Sequence, residues 1–301
     1  MPSSAWPALP APTRSRPCSR ARPRASIASR FELMPKHAMN LRTQWIDLDE
    51  TALRFEWRRA QDAPLVLVHE LGGSLNNWDR VLDHLETARS VLRYDARGCG
   101  MSEKLRAAPG LAALADDIVR LLDALGIDEP VPLAGCALGG AVALACAARH
   151  PARVAAVVAM TPVTDVASER RAGLLALADR VAREGMRVVA DGLLSVSFPR
   201  ELVDAQVYDE FRARWLANDP DSFAWQYRML AQLDMRVLLP RVRCPVLVVA
   251  AEKDALRPAA LSEAVAGALP HAKLVRLAAG HFMPVQAAPE VAAAIQEFLP
   301  I

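Results

Sequence analysis

Three short runs hold the residues whose types and spacing could do chemistry together. Asp254, in Glu252-Lys253-Asp254, and His281, in Gly280-His281-Phe282, each follow an apolar run that reads as a strand. A carboxylate beside an imidazole orients the ring and stabilises its cationic form, which makes the histidine a base near neutral pH. Upstream, Gly135-Cys136-Ala137-Leu138-Gly139-Gly140 joins another apolar run to a helical pattern. That is the setting of a Gly-x-Ser-x-Gly turn, where the glycines are needed because any Cβ there would collide with the neighbouring strand or helix. Tight turn, acid and histidine occur in the order of a Ser…Asp…His triad, but the central residue of the turn is Ala137.

The elements that would position these residues alternate in type. Strands are predicted at Leu53–Arg58, Leu65–His69, Ser90–Asp95, Val131–Gly135, Val154–Met160, Val246–Ala251 and Lys273–Leu277. Several are Val/Leu runs without polar alternation, as strands buried on both faces should be. Helical patterns intervene at Leu111–Leu125, which stops at Gly126, at Ala141–Arg149, at Ala259–Leu269 and at Pro289–Leu299. The alternation predicts an α/β fold, a mostly parallel sheet with helices on both faces. Residues 162–236 break it, showing only amphipathic helical patterns with Trp215, Trp225 and Tyr227, and read as a helical cap inserted between two strands.

At 301 residues and 52% hydrophobic content, one large core is expected in residues 41–301. With 36 Lys and Arg against 34 Asp and Glu, no net field argues for nucleic acid or an anionic membrane. The longest weakly polar stretch, Leu133–Ala148, is too short to span a bilayer. Five cysteines without a CxxC pair suggest reduced thiols and a cytoplasmic location rather than a disulfide framework or zinc cluster. No motif implies a metal or an organic cofactor, and the expected partner is a small molecule. The first thirty residues contain six Arg, six Pro and six Ser and no acid. Residues 1–40 therefore read as a disordered tail or the product of a misplaced start, with a transit segment as the alternative.

The motifs together resemble the α/β-hydrolase superfamily, and most of all its 3-oxoadipate enol-lactonase branch. The resemblance rests on His69-Glu70-Leu71-Gly72-Gly73 followed by Trp78, on Arg93-Tyr94-Asp95-Ala96-Arg97-Gly98-Cys99-Gly100-Met101-Ser102, on the glycines around Ala137, on Asp254 and on Gly280-His281-Phe282. It implies a cap over the active site and an oxyanion hole at the backbone amides of Leu71 and Leu138. It also implies that Ala137 stands where hydrolases of this fold keep their attacking serine. Glu70 departs from the usual His-Gly and places a carboxylate near the pocket, where solvation or pairing with an arginine is the expected fate and a catalytic role the alternative. Asp95–Ser102 reads as a structural turn. Trp215, Trp225 or Tyr227, with one of Arg212, Arg214 and Arg228, are the cap residues expected at the pocket.

An alanine forms no acyl-enzyme, and loss of a serine nucleophile costs on the order of a millionfold in turnover. Four readings stay open. His281, held by Asp254, activates water or abstracts a substrate proton directly; Cys136 attacks from one position away, although bulky Leu138 then spoils the turn; the protein binds a ligand or partner without turnover; or a serine was deliberately replaced. The first makes the chain an enzyme acting on a small enol-lactone or ester without a covalent intermediate.

Overall fold

The computed structural model describes residues 41–86 and 88–299, which belong to one compact unit, Lys36–Ile301. The expectation for residues 1–40 lies outside the described residues. Eight strands form one sheet: β1 (Thr43–Asp47), β2 (Ala52–Arg58), β3 (Leu65–Val68), β4 (Val91–Tyr94), β5 (Val131–Cys136), β6 (Val154–Met160), β7 (Val246–Ala251) and β8 (Ala272–Leu277). Their order is β1-β2-β4-β3-β5-β6-β7-β8. β2 runs antiparallel to β1 and β4, and the strands from β4 to β8 pair in parallel.

The continuous apolar runs are explained by burial on both faces. The helices are α1 (Asp79–Leu82), α2 (Leu111–Ala124), α3 (Leu138–Arg149), α4 (Ser168–Glu184), α5 (Arg187–Ser197), α6 (Ala205–Leu216), α7 (Pro220–Leu230), α8 (Ala259–Ala268), α9 (Met283–Gln286) and α10 (Ala288–Phe298). Val66 and Val68 of β3 pack with Leu114 and Ile118 of α2 and Ala141 and Leu144 of α3. Leu65 and Leu67, one residue out of phase, pack with Val81 of α1 and Val291 and Ile295 of α10. Period-two alternation sends neighbouring side chains to opposite faces, and here each face meets a helical layer.

The predicted strands all form, with ends shifted by a residue at most, and β1 is an additional one. Its residues are mostly exposed and its turn to β2 uses Asp49 at φ 67°, not glycine, so neither hydrophobic patterning nor an Asn-Gly signal marks it. α3 starts at Leu138, three residues before the predicted Ala141. Two glycines weaken a helical pattern locally, but Gly139 lies where a Cβ would meet the carbonyl oxygens of Val68 and His69.

Between β6 and β7 the chain builds α4 to α7. They share a core of Val181, Leu194, Phe198, Phe211, Trp215 and Phe223, which also takes in Phe282 and Val285 from the segment after β8. Phe198 and Phe211 stack at 4.0 Å, and Phe211 meets Phe282 at 5.1 Å. This aromatic contact joins the cap to the segment that carries His281. Among the described residues, no helix is long and apolar enough to cross a membrane.

Candidate active site

The carboxyl ends of β5, β7 and β8 converge on one cavity. β5 ends at Cys136, and Ala137 alone makes the turn into α3, with φ 49° and ψ −111°. A non-glycine residue in that region is strained, and the strain persists only where the surroundings hold it. Here Ala137 N–H donates to Met160 O at 2.8 Å, while Ala137 O accepts from Ala141 and Val163 N–H, each at 3.2 Å. Gly135 and Gly139 make the turn possible, since a Cβ on Gly135 would meet the backbone carbonyl of Gly139.

Asp254 lies just beyond β7 with its side chain fully buried. Oδ1 accepts the backbone N–H groups of Leu256 at 2.9 Å and Arg257 at 2.8 Å, and Oδ2 lies 2.7 Å from His281 Nδ1. A carboxylate so supplied takes its third donor from the ring, which fixes the proton on Nδ1 and leaves Nε2 with a free lone pair. His281 follows β8 and stands edge-on to Phe282, with centroids 5.1 Å apart. Sequence proximity plays no part in this pairing, because the two residues are 27 positions apart.

A cavity of about 250 Å³ lies between these loops and the cap. His281, Ala137, Leu138, Leu71 and Glu70 line its floor side, and Trp215 and Tyr227 reach it from the cap. Leu138 opens α3, so its N–H is one of the four that a helix leaves without an internal partner, and it is suited to accept developing negative charge. Leu71 stands on the loop after β3.

Several sequence expectations change in three dimensions. Trp225 does not line the cavity: two residues from Tyr227 it is about 200° away around α7, and its ring lies beneath the Arg228 guanidinium at 4.5 Å. Arg212 and Arg228 are held by Asp191 at 2.7 Å and Asp179 at 2.8 Å, Arg214 lies 4.0 Å from Asp79 of α1, and none of the three lines this cavity. Arg170 and Arg257 line the cavity instead. Glu70 is neither solvated nor paired with arginine; it is 1% exposed, accepts from Asn77 Nδ2 through Oε1, and burial raises its carboxyl above the usual range.

Cys136 is fully buried at the end of β5, with Sγ donating to His281 O at 3.4 Å, and burial pushes its thiol well above the ordinary range. It is not among the cavity-lining residues, and a neutral, enclosed thiol is a poor nucleophile. The Asp95–Ser102 turn is structural as read. Ser102 Oγ donates to Asp95 O at 2.6 Å, and Arg97 pairs with buried Asp117.

Arg257 and Asn77 escaped sequence reasoning. Arg257 has a positional signal, three residues after Asp254, and is 7% exposed with only a loose 3.9 Å approach to Asp165. Asn77 has none, since its role arises from reaching across a loop to Glu70. Among the described residues, no group of three or more His, Cys, Asp or Glu side chains is arranged to hold a metal ion.

A family profile described as the α/β hydrolase fold matches residues 63–288. A protein of Caulobacter sp. (strain K31), named provisionally as the carbamate hydrolase RutD, is 32% identical over 78% of this chain and 90% of its own. A hydrolase from Pseudomonas aeruginosa PA01 superposes with a TM-score of 0.79 at 30% identity, covering 88% of this chain and 100% of its own. The enol-lactonase from Burkholderia xenovorans LB400 reaches the same TM-score, 0.79, at 26% identity over 86% of this chain and 100% of its own. The sheet order, the glycine-framed turn after β5 and these likenesses agree, and the chain belongs to the α/β-hydrolase fold family.

Proposed function

We propose that the protein is an enzyme acting on a small carbonyl compound of the lactone, ester or carbamate class, with His281 as the base and Asp254 as its orienting partner. The observation that carries this reading is the 2.7 Å Nδ1–Oδ2 contact in a buried pair that borders the same cavity as Ala137. In this reading Ala137 occupies the nucleophile position and no acyl-enzyme forms. His281 Nε2 takes a proton from water or from the substrate, and the N–H groups of Leu138 and Leu71 stabilise the oxyanion. Support comes from relatives named as a carbamate hydrolase and an enol-lactonase, whose substrates share an acyl carbon bonded to a leaving oxygen or nitrogen.

The test compares wild type, His281→Ala and Cys136→Ala on a panel of enol-lactones, aryl esters and carbamates. His281→Ala is expected to lower kcat/KM by about 10²–10⁴-fold, the range of a lost general base, while Cys136→Ala leaves it nearly unchanged. Activity that survives His281→Ala sinks the proposal, and activity lost only in Cys136→Ala assigns attack to the thiol. A panel with no turnover, in which some compounds still raise the melting temperature, turns the protein into a binding module.

Arg257 supplies a substrate preference. Its guanidinium is buried at the cavity wall, its Nε has no partner among the described residues, and burial lowers it from the usual arginine range. A carboxylate on the substrate pairs with the guanidinium at that wall. Arg257→Met is expected to raise KM for carboxylate-bearing substrates about tenfold to a hundredfold, the value of one hydrogen bond to a charged group, with kcat and neutral esters little affected. Steady-state kinetics on a matched pair of acid and methyl-ester substrates decides this.

A further inference from the structure

Glu70 is the buried carboxyl of the cavity wall that the dyad chemistry leaves unused. Oε1 accepts from Asn77, and Oε2 has no partner among the described residues. Space is made for the group: a Cβ on Gly73 would lie 2.5 Å from Glu70 Oε1 and 2.9 Å from Asn77 Nδ2, so the pair fits only because residue 73 has no side chain. Among the described residues no cationic side chain forms an ion pair with it, and an unpaired buried carboxylate is costly.

Three titratable groups face it, His69, Cys136 and His281, and the two histidines act to lower its carboxyl while burial acts more strongly to raise it. His69 Nε2 accepts from Ala96 N–H at 2.9 Å, so its proton resides on Nδ1, which faces Glu70 O at 2.7 Å. Cys136, on β5, is kept as a thiol by burial. His281, on the loop after β8, carries its proton on Nδ1 toward Asp254. Burial is the largest influence on Glu70 and favours its protonated form. A protonated carboxyl with one anchored oxygen has a single hydrogen to give, at Oε2, and Glu70 is one of the residues lining the cavity that His281 also borders.

We propose that Glu70 is a catalytic acid of this site, anchored by Asn77 through Oε1, which gives its Oε2 proton to the leaving atom of the substrate while His281 takes one from water. The assignment rests on the non-covalent hydrolysis proposed above. The water oxygen bonds to the acyl carbon as its proton passes to His281 Nε2. The bond from that carbon to the leaving oxygen or nitrogen then breaks, and the leaving atom takes the proton of Glu70. Imidazolium and carboxylate remain across the cavity, and proton exchange through solvent from His281 to Glu70 restores both, so the net change is addition of one water across the acyl bond. Two groups whose surroundings hold one protonated and one free divide the roles of acid and base.

Glu70→Gln keeps the side chain's shape and an oxygen for Asn77 but has no proton to transfer. The experiment measures kcat and KM against pH for wild type and Glu70→Gln on the best substrate of the panel, with denaturant unfolding over the same pH range. The wild type is expected to lose activity as pH climbs through the raised value of Glu70 and its carboxyl ionises. In Glu70→Gln the alkaline fall disappears and kcat drops about 10²–10⁴-fold with a much smaller change in KM. Because the folded-state value of Glu70 is raised, its contribution to stability is complete below the ordinary carboxylate range and is lost as pH climbs through the raised value. The unfolding midpoint of Glu70→Gln should therefore gain on wild type as pH rises. An unchanged kcat and alkaline fall in Glu70→Gln, with His281→Ala still inactive, overturns the acid and leaves the dyad standing. A midpoint gap that does not vary with pH also overturns it, and a wild type that turns over nothing overturns both.

Discussion

Ala137→Ser is expected to open an acyl-enzyme route and to raise aryl-ester hydrolysis by about 10²–10⁴-fold, part of the span that a serine nucleophile commands in a preorganised site. The substitution adds one oxygen to a Cβ that already lines the cavity. The backbone needs no adjustment, because alanine already occupies φ 49°, ψ −111° and the turn is held by bonds to Met160, Ala141 and Val163. His281 Nε2 is free to accept the new hydroxyl proton, since Nδ1 is committed to Asp254 at 2.7 Å. Mass spectrometry after a fluorophosphonate probe should show a single adduct on residue 137 in the variant and none in wild type. Ester turnover should begin with a burst of released phenol. A variant that stays silent to both would show that the Asp254–His281 pair does not address the turn, and the base role of His281 would fall with it.

Gly139→Ala is expected to destabilise the protein by about 3 kcal/mol, the upper end for an overpacked site, and to lower the melting temperature by about 6–12 °C. The added methyl would meet the Val68 carbonyl oxygen and lie 2.5 Å from that of His69. Both are backbone atoms of the β3 segment, so no rotamer change relieves the contact. Gly173 is the control: it lies exposed in α4 with nothing within 4 Å of its would-be Cβ. Gly173→Ala should stabilise by roughly 0.5–1 kcal/mol, the helix-propensity difference between the two residues. Thermal and denaturant unfolding of both variants would check the pair, and equal effects would mean that the glycine frame is not under the steric constraint described.

Much of the fold was legible because buried parallel strands carry an unbroken apolar signal. β3, β5, β6 and β7 are such runs, and their helices end at recognisable positions, as α2 does before Gly126 at φ 69°. β1 was illegible, since an exposed edge strand takes its partner from β2 and leaves no trace in its own hydrophobicity. The start of α3 is hidden in the sequence because Gly139 and Gly140 lower local helix propensity, whereas close packing against β3 and β5 requires residues of that size.

For the site, local order determined the candidates: a glycine-framed alanine after one strand, an aspartate after another and a histidine after the next. Which other side chains share their cavity was decided by tertiary structure alone. Trp225 and Tyr227 are equally aromatic and two residues apart, yet helix rotation takes one to Arg228 and the other to the cavity. Arg257 and Arg228 are equally charged, and of the two Arg257, on the segment following Asp254, reaches the cavity wall while Arg228 pairs with Asp179. Glu70 shows the difference most clearly. Its identity marks a departure from the family pattern, but its burial, its orphaned oxygen and its anchor on Asn77 depend on a loop closed around Gly73. Residue type and order set what chemistry is available, while the environment that fixes each group's charge and direction arises only from contacts between segments far apart in the chain.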